Sequence, residues 1–414
     1  LRRGWQWLLV SLSLFFSLAM IFLPGSSSAL GYYLDLAGVR IRAVFDPPGD
    51  PPTPVPTQVK TTAPLVDVQP TPTKVMDGTR SPTVLPSPSP TALPGRVELP
   101  APPFEGQDWN NCGPATLALQ LRMFGWEGDQ FTISDEIKTI RNDRNVNIDE
   151  LIYYVSNKAG WLRAEFRVGG SLDLLKRFIA AGLPVSIELG FTLPEGAEGI
   201  AGATDDRWTG HYLLLTGYDD AAQVFITQDT FRGANQFAAY TDVDRNWKAF
   251  NRVFLVIFRP EQTGMVYDLL GEDSDPVVNR QRALAQAQAE AELSPNDAFA
   301  WFNIGSNLVY FESYIQAALA YDNARQAGLP QRMFRYQFGP FLAYFHTSRN
   351  DDLLALTEYA LKITPNSEEA SLWRGWALYR EGDRQGAVEH FQKALALHPG
   401  YEDAIYALNF LRDN

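Results

Sequence analysis

Pro295, Pro330, Pro365 and Pro399 recur at intervals of 35, 35 and 34 residues, and a period of that length restricts the last third of the chain to an array of like units. Proline ends a helix because its ring fixes φ and it lacks an N–H, so each interval reads as a helix pair closed by its proline. Strand signals vanish after about residue 272. In the first unit Trp301, Gly305, Ala317, Tyr321 and Ala324 set a pattern of small and aromatic residues, which Gly375, Gly382, Ala387, Phe391 and Ala394 repeat in the last unit. Small residues at these places let antiparallel helices approach closely. The middle unit is degenerate, with Phe341 where glycine is expected, and "RALAQAQAEAELSP" before the first unit resembles the second helix of another. About three units result, near the minimum for a stable stack.

At the other end, Arg2 and Arg3 precede an apolar run of 19 residues, Trp5 to Leu23. At about 1.5 Å per residue such a run spans the roughly 30 Å hydrocarbon core of a bilayer. The arginines hold the short N-terminal end in the cytoplasm, so the expectation is a single-pass cell-membrane anchor with everything downstream extracytoplasmic. A cleaved signal peptide is the alternative, since Ser27 to Leu30 offers small residues for cleavage; the protein would then be secreted. Residues 47–103 follow with 17 of the 28 prolines. Such a stretch favours polyproline II over a packed unit and makes a stalk reaching up to about 3 Å per residue.

Composition narrows the remaining choices. With 45% hydrophobic and 20% charged residues the chain can build a sizeable core. Its net charge of -13 repels nucleic acid and anionic lipid at long range. One cysteine in 414 residues excludes an internal disulfide and a cysteine-based zinc site, and no metal or other cofactor is expected. From about 104 to 262, helical periodicity in "CGPATLALQLRMFG", "NIDELIYYVSNKAG" and "SLDLLKRFIAAG" gives way to strand-length apolar runs, "LPVSIELGF", "HYLLLTGY", "QVFITQD" and "RVFLVIFR". Helices first and strands later predict an α+β fold. "TGYDDAAQVF" predicts a hairpin.

The one cysteine, Cys112, opens the first of these helices, with Asn110 or Asn111 as a cap and Pro114 in its first turn. A thiol at a helix N-terminus meets the positive end of the dipole, which favours thiolate, although most lone cysteines are small buried hydrophobes. Three of the four histidines lie in the repeats, leaving His211 at the start of a strand as the only one here. Asp229 ends the strand that follows the hairpin, so pairing brings it back beside His211. Asp219 and Asp220 belong to the turn, where aspartate is expected for local reasons. Gln107, five residues before Cys112, can offer its amide, with the Cys112 N–H, to an oxyanion.

Gln107, "NNCGPATLAL", "GHYLLLTGYDD" and "ITQD" together resemble the C39-like cysteine peptidases, papain-like proteins with the chain order Gln, Cys, His, Asp. The last third resembles tetratricopeptide repeats. The first resemblance implies a papain-like α+β fold and thiol hydrolysis of peptide bonds, with Cys112 as nucleophile, His211 as general base and acid, Asp229 as orienter and Gln107 as oxyanion donor. Thr230 stands where the family often has proline. The organisation expected is an anchor or signal peptide at 1–30, a Pro/Ser/Thr-rich linker at 31–103, the peptidase domain at 104–262, a boundary segment at 263–280 crossed by few contacts, and repeats at 281–414. Expected partners are a peptide or protein substrate, a protein partner through the repeats and the membrane through the N-terminal segment. A domain without turnover, serving with the repeats as a scaffold, is the alternative to the peptidase; acyl or amide transfer by the same thiol is a third possibility. The loop 192–210 runs into His211 and is expected to overhang the cleft, with Asp205, Asp206 and Trp208 favouring a basic or aromatic peptide.

Overall fold

The apolar run "HYLLLTGY" lies within the longest strand among the described residues, and the sheet grows from it. A computed structural model describes Phe45 and residues 49–55, 93–138, 146–193 and 207–413. The apolar run at 5–23, most of the proline-rich stretch, Asp205 and Asp206 lie outside the described residues. Among those described, no helix is long and apolar enough to cross a membrane.

Seven strands form one antiparallel sheet: β1 (Arg96–Glu98), β2 (Arg163–Arg167), β3 (Val185–Thr192), β4 (Trp208–Asp219), β5 (Val224–Asp229), β6 (Gly233–Ala239) and β7 (Phe254–Phe258). Their order is β2-β7-β3-β4-β5-β6, with β1 also paired to β4. The expected hairpin joins β4 to β5, and Asp219 Oδ1 accepts the N–H groups of Ala221 and Ala222 in its turn (3.0 and 3.1 Å). Leu214 lies opposite Gln228 in this pairing, so the end of β5 returns to the start of β4.

Period-two alternation assigns each strand residue to a face. Phe254, Val256 and Phe258 of β7 join Leu213 and Leu215 in one core, with Phe178 and Ile179 of helix α4 (Leu172–Ala180). Leu255 and Ile257 point the other way, with Tyr212, into a second core against Leu117 and Leu121 of helix α1 (Cys112–Arg122). Between these two helices come α2 (Gln130–Ile137) and α3 (Ile148–Tyr154). Because both sheet faces are covered, β7 has no polar residue at all. Burying each such Leu or Phe stabilises the fold by about 1.5–3 kcal/mol.

After α5 (Tyr240–Trp247) and α6 (Thr263–Leu270) the chain is helical: α7 (Pro276–Leu293), α8 (Ala298–Tyr310), α9 (Tyr314–Ala327), α10 (Met333–Tyr336), α11 (Gly339–His346), α12 (Asn350–Ile363), α13 (Glu368–Arg380), α14 (Arg384–Leu397) and α15 (Glu402–Asp413). The pairs α8/α9 and α13/α14 show why the repeat needs its glycines. A Cβ at Gly305 would sit 2.6 Å from the Tyr321 ring, and one at Gly375 2.5 Å from that of Phe391. In the degenerate middle unit α11 has only eight residues, and the buried Phe341 fills the space against Phe334 and Phe338.

The expectation that few contacts link the two parts is not met. A single hydrophobic cluster runs from Val168, Trp208, Phe250 and Val253 into Phe302, Tyr321 and Tyr336 of the helical part. Trp208, expected to favour a substrate peptide, is instead buried, stacked on Phe250 and on Phe299 of α8 with centroids 6.0 and 6.1 Å away. Lys248 pairs with Asp297 (2.8 Å) and Arg252 with Glu290 (2.7 Å). Asn279 both accepts from Val168 N and donates to Val168 O (3.1 and 2.8 Å).

Candidate active site

Cys112 is the first residue of α1, and the chain leading to it is held by side chains far along the sequence. Gln130 Nε2 donates to Glu105 Oε1 (2.8 Å) and to Gly106 O (2.9 Å), while its Oε1 accepts from Asp108 N (2.7 Å). Arg122 ties down Glu105 at 2.6 Å. Neither asparagine caps α1 as expected. Asn111 occupies the cap position, but its Nδ2 donates to Gln130 Oε1 (2.9 Å). Asn110 adopts a left-handed φ of 52°, and its carbonyl accepts from Lys138 Nζ at 2.7 Å. Without an Asn111 cap, the N-terminal N–H groups of α1 receive no side-chain acceptor from that residue.

His211, on β4 opposite Leu189, meets Asp229 at the end of β5, its Nε2 lying 2.9 Å from Oδ1. The same Asp229 oxygen accepts the N–H groups of Phe231 (2.9 Å) and Arg232 (3.0 Å), so the carboxylate is fixed before it orients anything. Phe191 and Phe231 stand edge-on to the imidazole at 5.6 and 6.4 Å. Cys112 lies close enough to the same imidazole for each group to shift the other's titration.

The charges follow from this packing. Burial alone would lower the His211 pKa, but bonds to Asp229 and Cys112 and their charges raise it to about 9. Burial pushes the Cys112 thiol up; the bond and charge of His211, the Tyr212 N–H and the charge of Lys138 outweigh it and bring the thiol below its ordinary value. For Asp229, burial raises the pKa, and the bond to His211, its charge and the two backbone N–H groups leave it below the usual carboxylate range. The arrangement favours thiolate, imidazolium and carboxylate in a row.

Gln107 reaches the group through Thr230. Its N–H donates to Thr230 O (2.8 Å), and the Thr230 hydroxyl donates to its Oε1 (3.0 Å). With the side-chain oxygen engaged, the donor group of this side chain is Nε2. Thr230, the departure from the family pattern, thereby has a function that proline could not supply.

Several neighbours were not singled out in the sequence. Glu188, opposite Tyr212 in the β3–β4 register, accepts from Tyr212 Oη at 3.1 Å. Burial and the charge of Cys112, against the bond from Tyr212, push its carboxyl well above the ordinary range. An ionisable residue inside "LPVSIELGF" was the available signal. Two cavities of about 400 Å³ each lie here, one against His211 and Asp229 and one against Glu188. One is bounded by Phe191, His211, Asp229 and Arg232. The other runs between Ile148, Glu150 and Glu188 and the helical Tyr336, Glu368 and His398, so the helical part walls the cavity that reaches Glu188. Among the described residues no cluster of His, Cys, Asp or Glu is arranged to hold a metal ion.

The profile of the Peptidase_C39 like family matches residues 98–255. No curated protein matched the sequence. Among solved structures, a proposed C39-like peptidase from Bacillus anthracis is similar at 17% identity, over 40% of this chain and 98% of its own, with a TM-score of 0.31. Xylellain, a cysteine protease from Xylella fastidiosa, shares 16% identity over 41% of this chain and 87% of its own, with a TM-score of 0.31. YrrB, a TPR protein with an unusual peptide-binding site, shares 23% identity over 36% and 81%, with a TM-score of 0.29. Residues 98–255 thus match the C39-like family, and the α8/α9 and α13/α14 helix pairs beyond them repeat one packing pattern.

Proposed function

We propose that this protein is a cysteine peptidase. The observation that carries the proposal is His211, bonded to Asp229 at 2.9 Å and close enough to Cys112, at a helix start, that each shifts the other's titration. In this scheme the Cys112 thiolate attacks the carbonyl carbon of a peptide bond, and the oxyanion formed is met by Gln107 Nε2 and the Cys112 N–H. His211 passes its proton to the departing amine as the C–N bond breaks. It then takes a proton from water as the thioester is hydrolysed, and Asp229 keeps the ring oriented throughout. The repeats recruit the protein substrate or a partner. Incubating the full chain with a peptide library and reading new termini by mass spectrometry tests this. Cleavage at a definable bond that disappears in Cys112→Ala is expected; identical products from both proteins would overturn it.

The same proposal sets the enzyme outside the cytoplasm, anchored by the apolar run at 5–23 or released after cleavage near residue 30. A C-terminal tag should be digested by protease added to intact cells while the protein sediments with membranes. A tag protected in intact cells would contradict this placement.

A further inference from the structure

The stalk does not begin as a free tether, because residues 49–55, "GDPPTPV", lie against the repeats. Arg325 of α9 donates through Nε to Pro52 O at 2.9 Å, and its Nη2 points to the same oxygen. Val55 N donates to Asp352 Oδ1 of α12 at 3.0 Å, and Tyr359 Oη donates to Gly49 O at 3.0 Å. Arg325 and Asp352 are themselves a buried pair, 2.9 Å apart, with side chains 1% and 3% exposed. Tyr344 of α11 accepts from Arg325 Nη1 (3.0 Å), and Arg349 holds the other Asp352 oxygen at 2.7 Å. The side chains that hold the segment are therefore tied to one another as well as to it.

The three backbone groups it holds come from residues 49, 52 and 55. Polyproline II has three residues per turn, so groups at that spacing share one face, about 9 Å apart along the axis. Pro51, Pro52 and Pro54 favour this conformation and leave little entropy to lose on docking. One position cannot be proline: Val55, flanked by Pro54 and Pro56, supplies the N–H that Asp352 accepts.

We infer that the repeats carry a binding site for a polyproline II segment, made by Arg325, Asp352 and Tyr359, and that its occupant is the chain's own residues 49–55. Docking closes the chain between Val55 and β1 into a loop. A pull from the N-terminal side is then delivered to the repeats rather than to the start of the peptidase domain. The inference does not depend on peptidase activity.

The test uses the full chain in detergent micelles and a fluorescein-labelled peptide of residues 46–58. Replacing 49–55 of the chain by a Gly-Ser run frees the site without touching the repeats. The peptide should bind this variant saturably and the parent at least about tenfold more weakly, because the tethered segment competes. A Val55→Pro peptide should lose at least about tenfold in affinity. Tyr359→Phe in the variant should weaken binding severalfold with its melting temperature kept. No binding to a variant that melts like the parent, or equal binding of the Val55→Pro peptide, overturns the inference. A parent that is monomeric by light scattering supports docking within one chain. A dimer that falls apart when 49–55 is replaced assigns the occupant to a second copy and overturns it.

Discussion

Gln107 and Thr230 stand 123 residues apart and act as one unit. If Gln107 Nε2 meets the oxyanion, Gln107→Ala should lower turnover roughly 100- to 1000-fold. Alkylation of Cys112 by iodoacetamide should be unchanged, since that substitution develops no oxyanion. Thr230→Val, which only frees the amide to rotate, should lose less in the same assay. Glu188 makes a separate prediction. Its folded pKa lies well above the ordinary 4.5, so its contribution to stability is complete below about pH 4.5. That contribution fades as pH rises toward the folded value, because the unfolded chain releases the proton and the folded chain keeps it. In melts from pH 4 to 8, the parent should therefore lose stability relative to Glu188→Gln as pH increases; parallel curves would contradict a buried neutral acid. Cys112 and Asp229 were legible in the sequence because each sits at a recognisable element end, His211 because it is the one histidine before the repeats, and Gln107 by its spacing from Cys112. Thr230, Lys138 and Glu188 were not, since their partners come from other elements and no local pattern marks them.

The elements found from sequence were those with long apolar runs. β3, β4, β5 and β7 lie inside the sheet with neighbours on both sides. β2 and β6 are its edges, and β1 pairs only with β4. Edge strands bury less, so "RAEFR" and "GANQFAA" carry no continuous apolar signal. Capping shows a similar limit: Asn111 has the right type and place for α1, but Gln130 claims its side chain. In the repeats the local pattern was sufficient, because its glycines report contacts between adjacent helices. Gly305→Ala should destabilise the protein by about 1–3 kcal/mol, as the Tyr321 ring must move. Gly264→Ala, with nothing within 4 Å of the new methyl, is the control, and thermal melting reads both. Equal melting temperatures would contradict the close approach of α8 and α9.

At the scale of the whole molecule, the period of the repeats was legible but their attachment was not. Trp208 sits beside His211 in sequence, yet it packs into the core shared with α8. Trp208→Ala should cost about 3–5 kcal/mol, and the peptidase domain and the repeats should unfold in one coincident transition in calorimetry and circular dichroism. Two separated transitions would show that the shared core does not couple them. The chain has one thiol, so the pH-dependent thiol alkylation is assigned to Cys112. The most direct measurement is the rate of Cys112 alkylation by iodoacetamide from pH 4 to 10, in the full chain and in His211→Ala. A thiolate paired with an imidazolium of pKa about 9 predicts reactivity well below the ordinary thiol pKa of about 8.5, lost in the variant. An ordinary thiol titration in both proteins would contradict an activated Cys112 and with it the peptidase.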